Sequence, residues 1–130
     1  MVWSHEMTYN SENVFAKILR GEIPAEKIFE NDVTVAFPDI NPQAPVHILI
    51  IPKGAYVSHD DFSLNASDRE KAGFTDAIGE VARKMGVAQS VGGNGYRLIT
   101  NSGNDADQEV PHYHVHLLGG HRIGRMVAQK

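Results

Sequence analysis

The chain has 130 residues, enough for one domain, with 42% hydrophobic and 22% charged residues, the balance of an ordinary folded protein. Its formal net charge of −4 lacks the overall positive field of a general nucleic-acid binder. Cysteine is absent, which excludes disulfides, thiolate zinc sites and cysteine nucleophiles. No apolar run reaches the roughly 18 residues of a membrane span, and the first residues do not resemble a secretory signal. We therefore expect a cytoplasmic protein that binds neither nucleic acid nor membrane.

The sequence predicts one domain with short extensions at both ends. Residues 1–12 are predicted to be an N-terminal extension, and residues 13–130 a single domain whose C-terminal tail covers 121–130. The first element of the domain is a helix over 13–20, because apolar residues recur there at the spacing of one helix face. Gly21 ends this helix.

Two short strands, a loop and a longer strand are predicted next. Residues 26–30 and 33–37 have strand patterns on either side of an Asn-Asp turn pair, which favours a hairpin. Two prolines exclude an interior strand over 39–45, so this segment is predicted to be a loop. The nearly continuous apolar and β-branched run over 47–51 predicts a buried central strand.

The second half of the chain is predicted to contain one long helix and two strands. A Ser-Asp-Arg-Glu capping box begins the helix, which we place over 67–85. The strands are placed over 96–100 and 110–118, with the polar loop 101–109 between them. Five strands and two helices with short connections indicate an α+β domain built on a mostly antiparallel sheet.

Three of the seven histidines lie within five residues, at the alternate positions His112, His114 and His116. Alternation along a strand places these imidazoles in a row on one face, with the intervening apolar residues on the other. An exposed strand face usually carries Thr, Lys or Glu, so a chemical role is favoured over a solvated surface. The histidines without supporting context are interpreted as surface residues: His5, His59 and His121.

Two chemistries suit this row of imidazoles. In the first, two of them ligate zinc together with His47 from a neighbouring strand. In the second, one imidazole is a nucleophile, its neighbours orient it, and the cluster binds an anion. The small and polar residues of the loop 101–109 favour the anion, because such loops present main-chain N–H groups. Asn101 and Gln108 add neutral donors.

The histidine block is one of several segments that match a known protein family. Residues 112–118 have the pattern His-φ-His-φ-His-φ-φ, where φ is an apolar residue. The other matching segments follow in the expected order between about residue 13 and residue 125: Glu22–Ala25, Phe37–His47, Gly95–Asn101, Gln108–Val110 and Leu117–Gly120. Together they resemble the histidine triad family of nucleotide hydrolases and transferases, and within it the Hint branch rather than the Fhit-like branch.

The resemblance implies a HIT-like fold in which two five-stranded sheets join across a homodimer into one ten-stranded sheet. It implies hydrolysis of the P–N bond of purine nucleoside 5′-phosphoramidates, which releases AMP or GMP through a nucleotidyl-histidine intermediate. We expect no cofactor and no metal. Two alternatives stay open: a dinucleoside-polyphosphate hydrolase, and a nucleotide-binding or interaction module with incidental activity.

By position, the resemblance implies catalytic roles for four histidines. His114 is the expected nucleophile, and His116 is expected to contact the phosphate. His112 and His47 are expected to support the row of imidazoles. A neutral imidazole is nucleophilic near pH 7, and cleavage of a P–N bond needs a proton delivered to the leaving amine.

Substrate-binding residues are implied in the same way. Asp39 is expected to accept the ribose hydroxyls, and Asn101 to hold ribose or phosphate. Main-chain amides near Gln108 and Glu109 are expected to bind the phosphate. The apolar candidates for contact with the nucleobase are Val14, Phe15, Ile18, Ile23, Phe37, Ile40 and Leu49.

Two residues depart from the family pattern. Asp107 stands directly before Gln108, where relatives usually have a small residue, often Gly, and its carboxylate either points to solvent or opposes the substrate phosphate. His121 follows the Gly pair where Arg is common, and it is expected to weaken anion attraction or shift its pH dependence. The tail also lacks the tryptophan through which some relatives contact a partner subunit.

Overall fold

The computed structural model describes residues 8–128 and contains one five-stranded antiparallel sheet with helices on both faces. The strands are β1 (Phe29–Glu30), β2 (Thr34–Pro38), β3 (Val46–Pro52), β4 (Tyr96–Ile99) and β5 (Val115–Gly119). The α-helices are α1 (Val14–Leu19), α2 (His59–Asn65) and α3 (Asp68–Lys84). The strand order β1-β2-β3-β5-β4 with antiparallel neighbours confirms the predicted α+β class. His5 and residues 1–7 of the predicted extension lie outside the described residues.

The central strand β3 is buried on both faces, which explains its nearly continuous apolar sequence. Ile48 and Ile50 point into the core that α2 and α3 cover. Leu49 and Ile51 point into a second core, which α1 covers with Phe15. Alternate residues of one strand therefore enter two different cores, so no polar face interrupts the pattern.

The sequence prediction of two helices is wrong, because α2 is a third α-helix between β3 and α3. It has seven residues, and Phe62 is its buried residue, so it has no apolar periodicity to detect. Its N-terminal signal is Ser58, whose side chain accepts a hydrogen bond from the main-chain N–H of Asp61. The capping box of α3 is present as predicted, between Ser67 and Glu70.

Two predicted strand boundaries are also wrong. β1 covers Phe29–Glu30 rather than 26–30, and β5 begins at Val115 rather than at 110. Before β5 the chain pairs with a loop instead of a strand, since the N–H of Tyr113 donates to the carbonyl oxygen of Tyr56. His112 and His114 thus precede the strand.

The predicted alternation of faces nevertheless extends through the histidine block. Tyr113, Val115 and Leu117 are buried in the core beneath α2 and α3. The histidines lie on the opposite side, where the ring of Phe15 is 6.3 Å from that of His112. Within residues 8–128, no helix is long and apolar enough to cross a membrane.

Candidate active site

The register of the sheet brings His47 next to the histidine block. β3 and β5 are neighbours, and Leu49 pairs with His116 while His47 pairs with Leu118. His47 is therefore the diagonal neighbour of His116 on the same face, a separation that aromatic side chains can bridge. The ring centroids lie 5.2 Å apart, and His47 Nε2 lies 2.9 Å from His116 Nδ1.

A chain of hydrogen bonds fixes the protons of His47 and His116. The main-chain N–H of Gln43 donates to His47 Nδ1 over 3.0 Å, so this nitrogen carries no proton. His47 therefore carries its proton on Nε2 and donates it to His116 Nδ1. His116 in turn holds its proton on Nε2, the nitrogen that remains for a ligand.

Main-chain carbonyl groups fix the protons of the other two histidines. His112 is fully buried, and its Nε2 donates to the carbonyl oxygen of Pro52 at 2.9 Å. His114 is 7% exposed, and its Nδ1 donates to the carbonyl oxygen of His112 at 2.7 Å. A carbonyl oxygen only accepts, so each facing nitrogen must hold a proton. Neutral His114 consequently keeps a free lone pair on Nε2, the form in which imidazole is a nucleophile.

Burial keeps His112, His114 and His116 uncharged at neutral pH. Desolvation lowers the pKa of His112 and that of His116 to about 4, and it also lowers the pKa of His114. Neighbouring imidazoles lower the pKa of His116 further, against the opposing effect of the Asp39 carboxylate. Asp39 Oδ2 lies 3.4 Å from His47 Nε2 and 4.0 Å from His116 Nδ1. At pH 7 the site therefore holds neutral donors and a neutral nucleophile.

A polar cavity of about 430 Å³ lies in front of these histidines. His114 and His116 line it together with three carboxylates, which belong to Asp39, Asp107 and Glu109. Its other lining residues are Phe15, Asn41, Gln43, Leu49, Asn101, Gln108 and Val110. No lysine or arginine of the described chain lines it, so an anion bound here depends on hydrogen bonds from neutral groups.

A second, mostly apolar cavity of about 370 Å³ shares Asp39 and Leu49 with the first. Six of the predicted base-contacting residues line it: Val14, Ile18, Ile23, Phe37, Ile40 and Leu49. The remaining one, Phe15, belongs to α1 and lines the polar cavity, with its ring 5.0 Å from that of His114. Phe37 and Leu49 also belong to the core, whereas Ile40 is 92% exposed and therefore has no packing role.

The loop 101–109 is held together by the side chain of Gln108. Its Oε1 accepts a hydrogen bond from the N–H of Gly103, and its Nε2 donates to the carbonyl oxygens of Val57 and Val110. The main-chain N–H of Gln108 donates to the carbonyl oxygen of Gly103. Gln108 therefore shapes the loop, and these donors are committed within the protein.

Three other residues of this loop were singled out from the sequence and line the polar cavity: Asn101, Asp107 and Glu109. Asn101 is half-buried, and Asp107 and Glu109 are exposed. Asp107 is the one residue other than glycine with positive φ in residues 8–128, at φ 53° and ψ 45°. Glycine adopts this left-handed conformation freely and Asp tolerates it, so the positive φ accounts for the small residue that the family pattern leads us to expect at this position.

One group of described residues has the arrangement of a metal site. The ligand atoms of Asp39, His47 and His116 lie within 4.8 Å of one another. The facing nitrogens of the two histidines already share a proton, so a metal ion would have to displace it.

His121, the residue that departs from the family pattern after the Gly pair, is exposed and lines a different cavity with Gly120 and Arg122.

The contacts of Gln43 and Tyr9 with the histidines were not predicted from the sequence. Gln43 donates to His47 through its main chain, and residue identity does not reveal a main-chain donor. Tyr9 lies in the predicted extension, and its hydroxyl oxygen is 2.9 Å from His112 Nδ1. Because 103 positions separate Tyr9 from His112, no local pattern indicates this contact.

Comparison with known proteins agrees with this fold. Residues 20–123 match the HIT domain model. The chain is 56% identical over 122 residues to a HIT-like protein of Azospirillum brasilense, covering 94% of this chain and 97% of that protein. It is 42% identical over 119 residues to the purine nucleoside phosphoramidase of Escherichia coli K12, covering 92% and 96%. The solved structure of a HIT family hydrolase from Clostridium thermocellum has a TM-score of 0.79 at 39% identity, covering 92% of this chain and 99% of that one. The chain therefore belongs to the HIT family.

Proposed function

We propose that the protein is a hydrolase that cleaves the P–N bond of purine nucleoside 5′-phosphoramidates. The observation that carries this proposal is the state of His114, a buried neutral imidazole whose Nδ1 is committed as a donor and whose Nε2 is a free nucleophile. This residue lines a polar cavity with several neutral hydrogen-bonding groups. The name of the E. coli relative, a purine nucleoside phosphoramidase, supports the same chemistry.

The two cavities suit the two ends of a nucleotide. The flat apolar faces of a purine fit the cavity beside α1, and the phosphate fits the polar cavity that contains His114. Asp39 lines both cavities, so its carboxylate lies where the ribose hydroxyls need an acceptor. Asn101 and the main chain near Glu109 are assigned to the phosphate. Gln108 is assigned to holding that loop in place.

The proposed reaction has two displacements at phosphorus. His114 Nε2 forms a bond to phosphorus as the P–N bond to the amine breaks, and the amine takes a proton from water. Neutral His116 would become an imidazolate if it supplied that proton, so we assign its Nε2–H to a phosphate oxygen. The hydroxide that this water leaves then attacks phosphorus. The bond between phosphorus and His114 Nε2 breaks, and the nucleoside monophosphate is released. Across both steps one water molecule is consumed.

The proposal predicts turnover of adenosine and guanosine 5′-phosphoramidates in buffer that contains EDTA, because no proposed step uses a metal. Chromatography of the released AMP or GMP measures the rate. Faster cleavage of a dinucleoside polyphosphate in the same buffer would favour that alternative substrate class. Nucleotide binding without turnover would favour a binding module. Activity that disappears with EDTA and returns with zinc would contradict the metal-independent route.

We also propose that two copies of the chain join through β4 into a ten-stranded sheet. Among residues 8–128, β4 ends the strand order and pairs with β5 alone, so its outer edge has main-chain groups that no described strand pairs with. β1 forms the other edge but has two residues, too few for an extended pairing. Tyr96 and Leu98 of β4 are exposed large apolar side chains, and Leu98 pairs with the core residue Leu117. A second copy of the chain packed along β4 would bury Tyr96 and Leu98.

Leu98→Lys is expected to shift the protein from dimer to monomer, because it places a charge within the proposed interface. Sedimentation equilibrium at micromolar concentration measures the mass. Leu64→Lys is the matched control, since Leu64 is 74% exposed on α2 and lies outside the sheet. A monomeric wild type, or a dimer that Leu98→Lys leaves intact, would refute an interface along β4.

A further inference from the structure

We propose that Tyr9 is a positioning residue of the active site, which acts on the nucleophile through His112. The inference rests on the proposed function, in which His114 is that nucleophile. Tyr9 precedes α1, in the segment that the sequence predicted to be an extension. Its ring centroid lies 5.5 Å from that of His112, and its hydroxyl oxygen lies 2.9 Å from His112 Nδ1.

The direction of this hydrogen bond follows from the other contact of His112. Nε2 donates to the carbonyl oxygen of Pro52, so Nε2 holds the proton of the neutral ring. Nδ1 is then an acceptor, and the Tyr9 hydroxyl is its donor. Since His112 is fully buried, the hydroxyl satisfies a nitrogen that would otherwise lose its partner away from water.

The main chain of His112 connects the contact with Tyr9 to the nucleophile, His114. Its carbonyl oxygen accepts from His114 Nδ1 at 2.7 Å, which is the bond that leaves His114 Nε2 without a proton. The His112 ring is held on one nitrogen by Tyr9 and on the other by Pro52, at the end of β3. Releasing one side allows the residue to move, and its carbonyl group moves with it. Tyr9 therefore stabilises both the tautomer and the orientation of the His114 ring.

Tyr9→Phe tests the hydroxyl while it keeps the ring. We expect kcat for a phosphoramidate to fall about three- to tenfold, the effect of one neutral hydrogen bond, with KM changed less than about twofold. Long-range ¹H–¹⁵N spectra of the histidine side chains give an independent readout. In wild type, His114 should be the Nδ1–H tautomer and His112 the Nε2–H tautomer. In the variant, the His112 Nδ1 signal should move as it loses its donor, and His114 should become a mixture of tautomers.

Tyr56→Phe is the matched control, because it removes a hydroxyl group that donates to Glu70 on α3 and keeps the main-chain bond between Tyr56 and Tyr113. It should keep both kcat and the histidine spectra, and thermal unfolding checks that both variants are folded. An unchanged kcat and unchanged spectra in Tyr9→Phe would overturn the proposal, as would equal losses in the two variants. If the wild type shows no turnover, the proposed function fails, and the spectra alone decide whether Tyr9 positions the two histidines.

Discussion

Replacing His114 by alanine should slow phosphoramidate hydrolysis by at least about a thousandfold, because no group then remains to form the covalent intermediate. That factor corresponds to about 4 kcal/mol of lost transition-state stabilisation. Binding of AMP should weaken far less, since the apolar cavity, Asp39 and His116 are unchanged. Product release measured by chromatography and AMP titration by calorimetry separate the two effects.

Two comparisons make the His114 result specific. His59→Ala removes an exposed histidine on α2, behind the sheet, and should keep the wild-type rate. In His114→Gly, added imidazole should restore part of the turnover, because free imidazole can occupy the space and attack phosphorus. Retention of more than about a tenth of the wild-type rate in His114→Ala would exclude this residue as the nucleophile.

Acidification from pH 7 to about pH 4 should remove several kcal/mol of folding stability. Unfolded histidine has a pKa of about 6.5, whereas burial holds His112 and His116 at a pKa of about 4. Between these values the unfolded chain binds more protons, so the free energy of unfolding falls as the pH falls. The stabilisation is fully present above pH 6.5, and each imidazole accounts for roughly 3 kcal/mol at most. Urea unfolding at several pH values measures it.

The origin of this acid sensitivity can be tested with one substitution and one control. His116→Gln keeps a polar side chain but removes a titrating group, so stability should depend less steeply on pH between 6.5 and 4. His121→Gln changes an exposed histidine and should leave the wild-type pH dependence unchanged. Equal stability of the wild type at pH 7 and pH 4.5 would contradict neutral burial of the two imidazoles.

Local patterns were sufficient where one short segment determines its own structure. The capping box at Ser67 and Glu70 begins α3 because both hydrogen bonds form within one turn. The apolar run of β3 requires burial on both faces and therefore a central position in the sheet. Alternation placed three imidazoles on one side, although regular pairing begins only at Val115.

The remaining features depend on groups that meet only in the folded chain. The proton on His47 is fixed by the main-chain N–H of Gln43, and the proton on His114 by a carbonyl group, neither of which side-chain identity encodes. Helix α2 has too few buried residues to show an apolar period. It is stabilised by packing of Phe62 in the core, a contact that forms only in the folded chain. Tyr9 was missed because its partner is distant in sequence.

The position of β5 has a consequence for how the protein is made. This strand is the last of the five in residues 8–128, yet it lies inside the sheet, between β3 and β4. A growing chain that has left the ribosome only as far as β4 lacks the strand that joins β4 to β3, and it has no histidine row. Tyr9 meets its partner His112 only when the 103 positions that separate them have been synthesised. Closure of the sheet and completion of the active site therefore both wait for β5, and a chain truncated before β5 lacks both.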